Sequence, residues 1–64
     1  MKENHKNLTS NVAFEELPLW FQEAKTKDAV VIYADGYFIW VNGYWYNGIW
    51  LGDVWKKGTW VNGV

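Results

Sequence analysis

Cysteine is absent from the 64 residues, so neither a disulfide nor a thiolate metal site can hold the chain together. Arginine is absent as well, and six lysines against seven acidic residues leave a formal charge of -1 and a pI near 5.6. That balance argues against strong attraction to nucleic acid or to an anionic membrane. No apolar run approaches the roughly 18–20 residues of a membrane span. The polar start Met1 to Asn11 has no apolar stretch of h-region length behind it, so it does not read as an export signal. The expectation is a soluble cytoplasmic protein.

Catalytic residue types are equally scarce. His5 is the only histidine and Ser10 the only serine, both in the polar N-terminal stretch with no framework to align them for nucleophilic attack. The carboxylates Glu15, Glu16, Glu23, Asp28, Asp35 and Asp53 are scattered, and a metal site needs several convergent ligands. The glycines follow a spacing of five and alternate with tryptophan, unlike a phosphate loop. The chain is expected to be no enzyme and to carry no cofactor and no metal.

Aromatic content is what the chain has instead: six Trp, four Tyr and three Phe, a fifth of all residues. A single domain of this size buries only about 60% of the surface its unfolded chain exposes. It therefore needs a dense core, a partner or both. Residues 1–13 have the composition of a disordered arm, and residues 14–64 read as one domain. Within it, Leu17, Trp20, Phe21 and Ala24 fall on one face of a helix spanning about Phe14 to Thr26, with Pro18 in its first turn. Ala29 to Ala34 and Tyr37 to Val41 read as the two arms of a hairpin. Asp35-Gly36 would form its type I′ turn, in which both central residues need φ > 0.

From Trp40 onward tryptophan recurs at every fifth position, Trp40, Trp45, Trp50, Trp55 and Trp60, an internal repeat covering residues 40–64. Between successive Trp-centred triplets lie Asn42-Gly43, Asn47-Gly48, Gly52-Asp53, Lys57-Gly58 and Asn62-Gly63. If each pair is a two-residue turn, the result is an antiparallel β-meander. All tryptophans then line one face, and Tyr44, Tyr46, Ile49, Leu51, Val54, Lys56, Thr59 and Val61 line the other. The alternative is a short β-solenoid with one pentad per side, which at about twenty residues per coil would complete barely more than one coil. The fold class expected is α+β, a short N-terminal helix packed on the small meander.

The pentads resemble the W-x-x-G-x arrays of uncharacterised tailed-phage and bacterial proteins, most closely in Gly-Tyr-Trp-Tyr-Asn-Gly-Ile-Trp and Lys-Gly-Thr-Trp-Val-Asn-Gly. WLGDV departs by moving its glycine forward one place. The period is similar to that of pentapeptide-repeat proteins, whose small-residue core is missing here, and Asn-Gly-Tyr-Trp-Tyr resembles choline-binding repeats. The phage resemblance implies a β-rich accessory protein of a host cytoplasm. The functional expectation is a non-enzymatic protein–protein interaction module that binds and modulates a host or virion protein. Trp50, Trp55, Trp60, Tyr44 and Tyr46 are its aromatic anchors. A two-sided apolar sheet also points to a homo-oligomer. The alternative partner is a glycan, stacked on the same rings and bonded by Asn42, Asn47 and Asn62. Nucleic acid, considered through Lys56-Lys57 beside Trp55 and Trp60, is disfavoured by so little positive charge.

Overall fold

The computed structural model describes residues 4–64. It is a mostly-β domain with one short helix and a single mixed six-stranded sheet. In chain order the elements are β1 (His5–Lys6), β2 (Thr9–Ser10), a 3-10 turn (Phe14–Glu16), α1 (Leu19–Gln22), β3 (Lys25–Ala34), β4 (Tyr37–Asn47), β5 (Val54–Trp55) and β6 (Thr59–Trp60). β3 and β4 are the central antiparallel pair; β1 and β2 lie parallel to β3, and β5 and β6 parallel to β4.

The hairpin forms as the sequence predicts. Asp35 and Gly36 both take positive φ, 53° and 80°, and Ala34 faces Tyr37. The expected long helix does not form. Leu17 precedes a proline and is held extended at ψ 156°, which divides the segment into the 3-10 turn and a four-residue α1 beginning after Pro18. Lys25 and Thr26, assigned to the helix end, belong to β3. The apolar face survives the division: Leu17, Phe21 and Ala24 are buried, and Trp20 packs against them.

The expected disordered arm is also corrected from Asn4 onward, while Met1, Lys2 and Glu3 lie outside the described residues. His5 pairs with Thr26 and Thr9 with Val30. Asn11 extends the pairing through its side chain, donating to the Tyr33 carbonyl and accepting from the Tyr33 N–H. These contacts are mostly polar and backbone-mediated, so a polar sequence can make them.

The pentads do not meander. Trp40 pairs with Trp55 and Trp45 with Trp60, in parallel, so the chain returns beside itself after fifteen residues, or three pentads. The Asn-Gly pairs are corners of a three-sided coil, not reversals. Both structures ask for φ > 0 at glycine, and Gly43, Gly48, Gly58 and Gly63 sit between 107° and 136°. Stacking adds a second demand: a Cβ on Gly58 would run into the Gly43 carbonyl, and one on Gly63 into that of Gly48. Asn42 and Asn47 each turn the side-chain Oδ1 onto the N–H of the following glycine, at 2.9 and 3.0 Å. The corner at Gly43, opposite a bulge in β3, lets Trp40 and Trp45 both face inward. A flat strand would send residues five apart to opposite faces.

The N-terminal half repeats this plan with a longer period of twenty-one residues, α1 and the 3-10 turn forming its third side. Both crossovers cover the same interior, since Trp20 and Phe21 meet Phe38 and Trp45, and Trp50 meets both of these and Trp20. The sheet advances in one direction from β1 to β6 while its strands reverse at the hairpin. The two crossovers therefore have opposite hands, and one of them is left-handed, the rare sense for a parallel unit.

Candidate functional site

Each tryptophan of the array turns toward the interior from the middle of the triplet between two corners. Consecutive rings meet edge to face: Trp40 and Trp45 at 5.8 Å and 77°, Trp45 and Trp50 at 5.7 Å and 86°, Trp50 and Trp55 at 5.4 Å and 79°. Rings one coil apart lie face to face, Trp40 on Trp55 at 4.7 Å and 5°, Trp45 on Trp60 at 5.3 Å and 16°. Both are favoured aromatic geometries, worth roughly 0.5–1.5 kcal/mol per pair beyond area burial. Trp40 and Trp45 are fully buried, and their indole Nε1 atoms have no hydrogen-bond partner. Each unpaired donor costs about 1–3 kcal/mol, which the ring contacts must offset.

Burial falls along the array. Trp50 and Trp55 are half-buried and Trp60 is 41% exposed. β5 and β6 have a sheet neighbour on one side only. The amides of Lys56 and Val61 bond the Trp40 and Trp45 carbonyls. By strand alternation, Trp55 and Trp60 turn their own N–H and C=O groups to the open side. This end of the coil is thus an unpaired edge with two ring faces uncovered.

Of the five residues singled out from sequence, Trp50, Trp55 and Trp60 meet at this end. Tyr44 and Tyr46 do not join them. They project from the outer surface of β4, 43% and 40% exposed, with their rings stacked at 6.1 Å and 22°. The partition of the pentads holds: the tryptophans face in, and Ile49, Leu51, Val54 and Val61 are exposed with the tyrosines. Asn42 and Asn47, the hydrogen-bonding edges of the glycan alternative, have their side-chain oxygens committed to the corners.

Sequence reasoning missed two groups. Lys6 on β1 and Lys25 and Lys27 on β3 share an outer surface with Tyr44 and Tyr46 of β4, a proximity only the register reveals. His5 is buried, stacked on Phe21 at 4.5 Å. Its Nδ1 lies 2.8 Å from Thr26 Oγ1 and its Nε2 3.2 Å from the Gln22 carbonyl, so Nε2 carries the proton and Nδ1 accepts from the hydroxyl. Desolvation lowers its pKa below 6.5, against smaller raising contributions from backbone carbonyls. Ser10 Oγ donates to the Val12 carbonyl, and both His5 nitrogens are engaged elsewhere. Among the described residues no three metal-ligating side chains converge, and no helix is long and apolar enough to cross a membrane.

Compared with protein-family models, curated proteins and solved structures, the chain matches none.

Proposed function

We propose that this chain is a non-enzymatic protein–protein interaction module whose docking element is the open end of the tryptophan coil. The observation that carries the reading is the combination at β5 and β6: an unpaired strand edge with Trp55 and Trp60 each covered on one face by a buried ring. A partner strand there gains main-chain hydrogen bonds and places its own side chains on the two indoles. The occupant we favour is a second copy. In a two-fold antiparallel pairing, Trp55 of one protomer lies opposite Trp60 of the other. The equal spacing of rings and corners makes this edge complementary to itself. Lys56 and Lys57 sit on the same edge and repel their counterparts, so the association strengthens with salt. An accessory protein acting on a host or virion component would present the same edge to that component.

The test is light scattering and sedimentation across a dilution series at low and high salt, for the natural chain and for Trp60→Ala. A dimer that strengthens with salt and is lost in Trp60→Ala supports the reading. A strictly monomeric chain removes the second copy as occupant. A saturable change in tryptophan emission with soluble polysaccharide would replace the protein partner by a glycan.

A further inference from the structure

The outer surface of β1, β3 and β4 carries a feature separate from the coil end. Lys6 on β1 faces Lys27 on β3, and Lys27 faces Tyr44 on β4. Lys25, two residues before Lys27 on β3, and Tyr46, two residues after Tyr44 on the antiparallel β4, lie on the same side. Asn4, Lys6, Lys25, Thr26, Lys27 and Tyr46 line a shallow groove of about 350 Å³. Three of the five described lysines are gathered here, and no carboxylate pairs with any of them among the described residues. The neighbouring Asp28 is held at the corner by Asn7 Nδ2, at 3.1 Å. Of the other described acidic residues, Glu15 and Glu16 belong to the 3-10 turn, Glu23 caps the end of α1 two residues before Lys25, Asp35 is at the hairpin tip, and Asp53 precedes β5 with its carboxylate accepting from the Phe38 N–H. Positive charge is therefore concentrated on one face of a chain that is slightly negative as a whole.

We propose that this face binds single-stranded nucleic acid, with phosphates along Lys6, Lys25 and Lys27 and bases stacked on Tyr44 and Tyr46. Three ammonium groups supply charge complementarity to a backbone, while the tyrosines offer exposed π-faces that any base can use. The net charge of -1 provides no long-range steering, so binding is weak, local and without sequence preference. An acidic peptide could meet the lysines but has no general use for two adjacent ring faces, which is why the nucleic acid is preferred. This site is independent of the coil end and stands whether or not the chain dimerises there.

The test is fluorescence anisotropy of a labelled oligothymidylate with the full chain over a range of salt, beside an abasic oligomer of equal length. Three phosphate contacts give a slope of log K against log salt of about -2. Tyr46→Ala is expected to weaken oligothymidylate binding roughly 5- to 150-fold, from the usual worth of one stacked base, and to leave the abasic oligomer unaffected. Lys6→Gln with Lys27→Gln should flatten the salt slope for both probes, and Lys56→Gln with Lys57→Gln should change neither. These substitutions are at exposed or half-exposed positions, and circular dichroism verifies that each variant folds. Equal affinity for the two oligomers, or equal competition by polyglutamate, would overturn the proposal, as would binding that ignores the tyrosines.

Discussion

The N-terminal coil, from His5 to Ala34, and the C-terminal coil, from Tyr37 to Val64, are two solutions to the same problem. Each must turn a corner with positive φ and lay the next turn of chain directly beneath it. The C-terminal coil stacks Gly58 under Gly43 at 118° and 124°. The N-terminal coil places Asn7 beside Asp28 at 58° and 53°, joined by a side-chain hydrogen bond. Asn and Asp tolerate this left-handed region better than other side chains, and the bond between them helps hold it. The interiors differ in the same way: five tryptophans at a fixed spacing on one side, and His5, Thr26, Ala29 and Val31 under a helical lid on the other. A coil of this type thus does not require a visible repeat. The repeat becomes visible only where each corner is glycine and each rung is the same large ring.

The two kinds of corner should respond most differently to substitution at Gly58. Gly58→Ala places a Cβ against the Gly43 carbonyl at a φ of 118°. Overpacking and strain together should cost about 3 kcal/mol or more, most of the stability of a domain this size. Gly36→Ala meets nothing within 4 Å and carries only the φ penalty, about 1–2 kcal/mol. Urea unfolding of the two variants should separate them clearly, and equal losses would mean that the corners are not stacked.

The N-terminal coil carries a pH-dependent contribution at its buried histidine. His5 is neutral in the folded interior with a lowered pKa, whereas the unfolded chain takes up the proton near pH 6.5. Its contribution is complete above that value and is lost as pH falls from 6.5 towards the folded pKa. Urea midpoints for the natural chain and His5→Gln should differ in slope across this window; identical slopes would place His5 in water. The smallest expected effect is at Asn7→Gly, which gives the N-terminal corner the residue used in the other coil. Relief of the backbone and loss of an exposed hydrogen bond roughly cancel, so the change should stay within about 1 kcal/mol.

The sequence is informative where a signal is local. Asp35-Gly36 can hardly be anything but a tight turn, and the inward set of the pentads follows from the tryptophans alone. It is silent where one local signal serves two structures. Asn-Gly requires positive φ in a hairpin turn and in a coil corner alike, and the distinction lies with contacts fifteen residues away, such as Trp40 on Trp55. Pro18 hides its effect for a similar reason: a first-turn proline and a helix-splitting proline differ only in what Leu17 does. The lysine–tyrosine face is invisible in the chain because Lys6, Lys27 and Tyr44 meet only through the register of three strands.

The stacked and edge-on rings also join all six tryptophans into one optical unit. Trp20 touches Trp45 and Trp50, and the five array rings touch one another in succession and across the coil. Light absorbed by any indole can migrate through the set before it is emitted. The emission colour is then governed by whichever ring offers the lowest excited state, with the solvent-facing Trp60 the natural candidate. Substituting one ring should therefore shift the spectrum of the whole chain, and a molecule bound over Trp60 would be reported by chromophores it never touches.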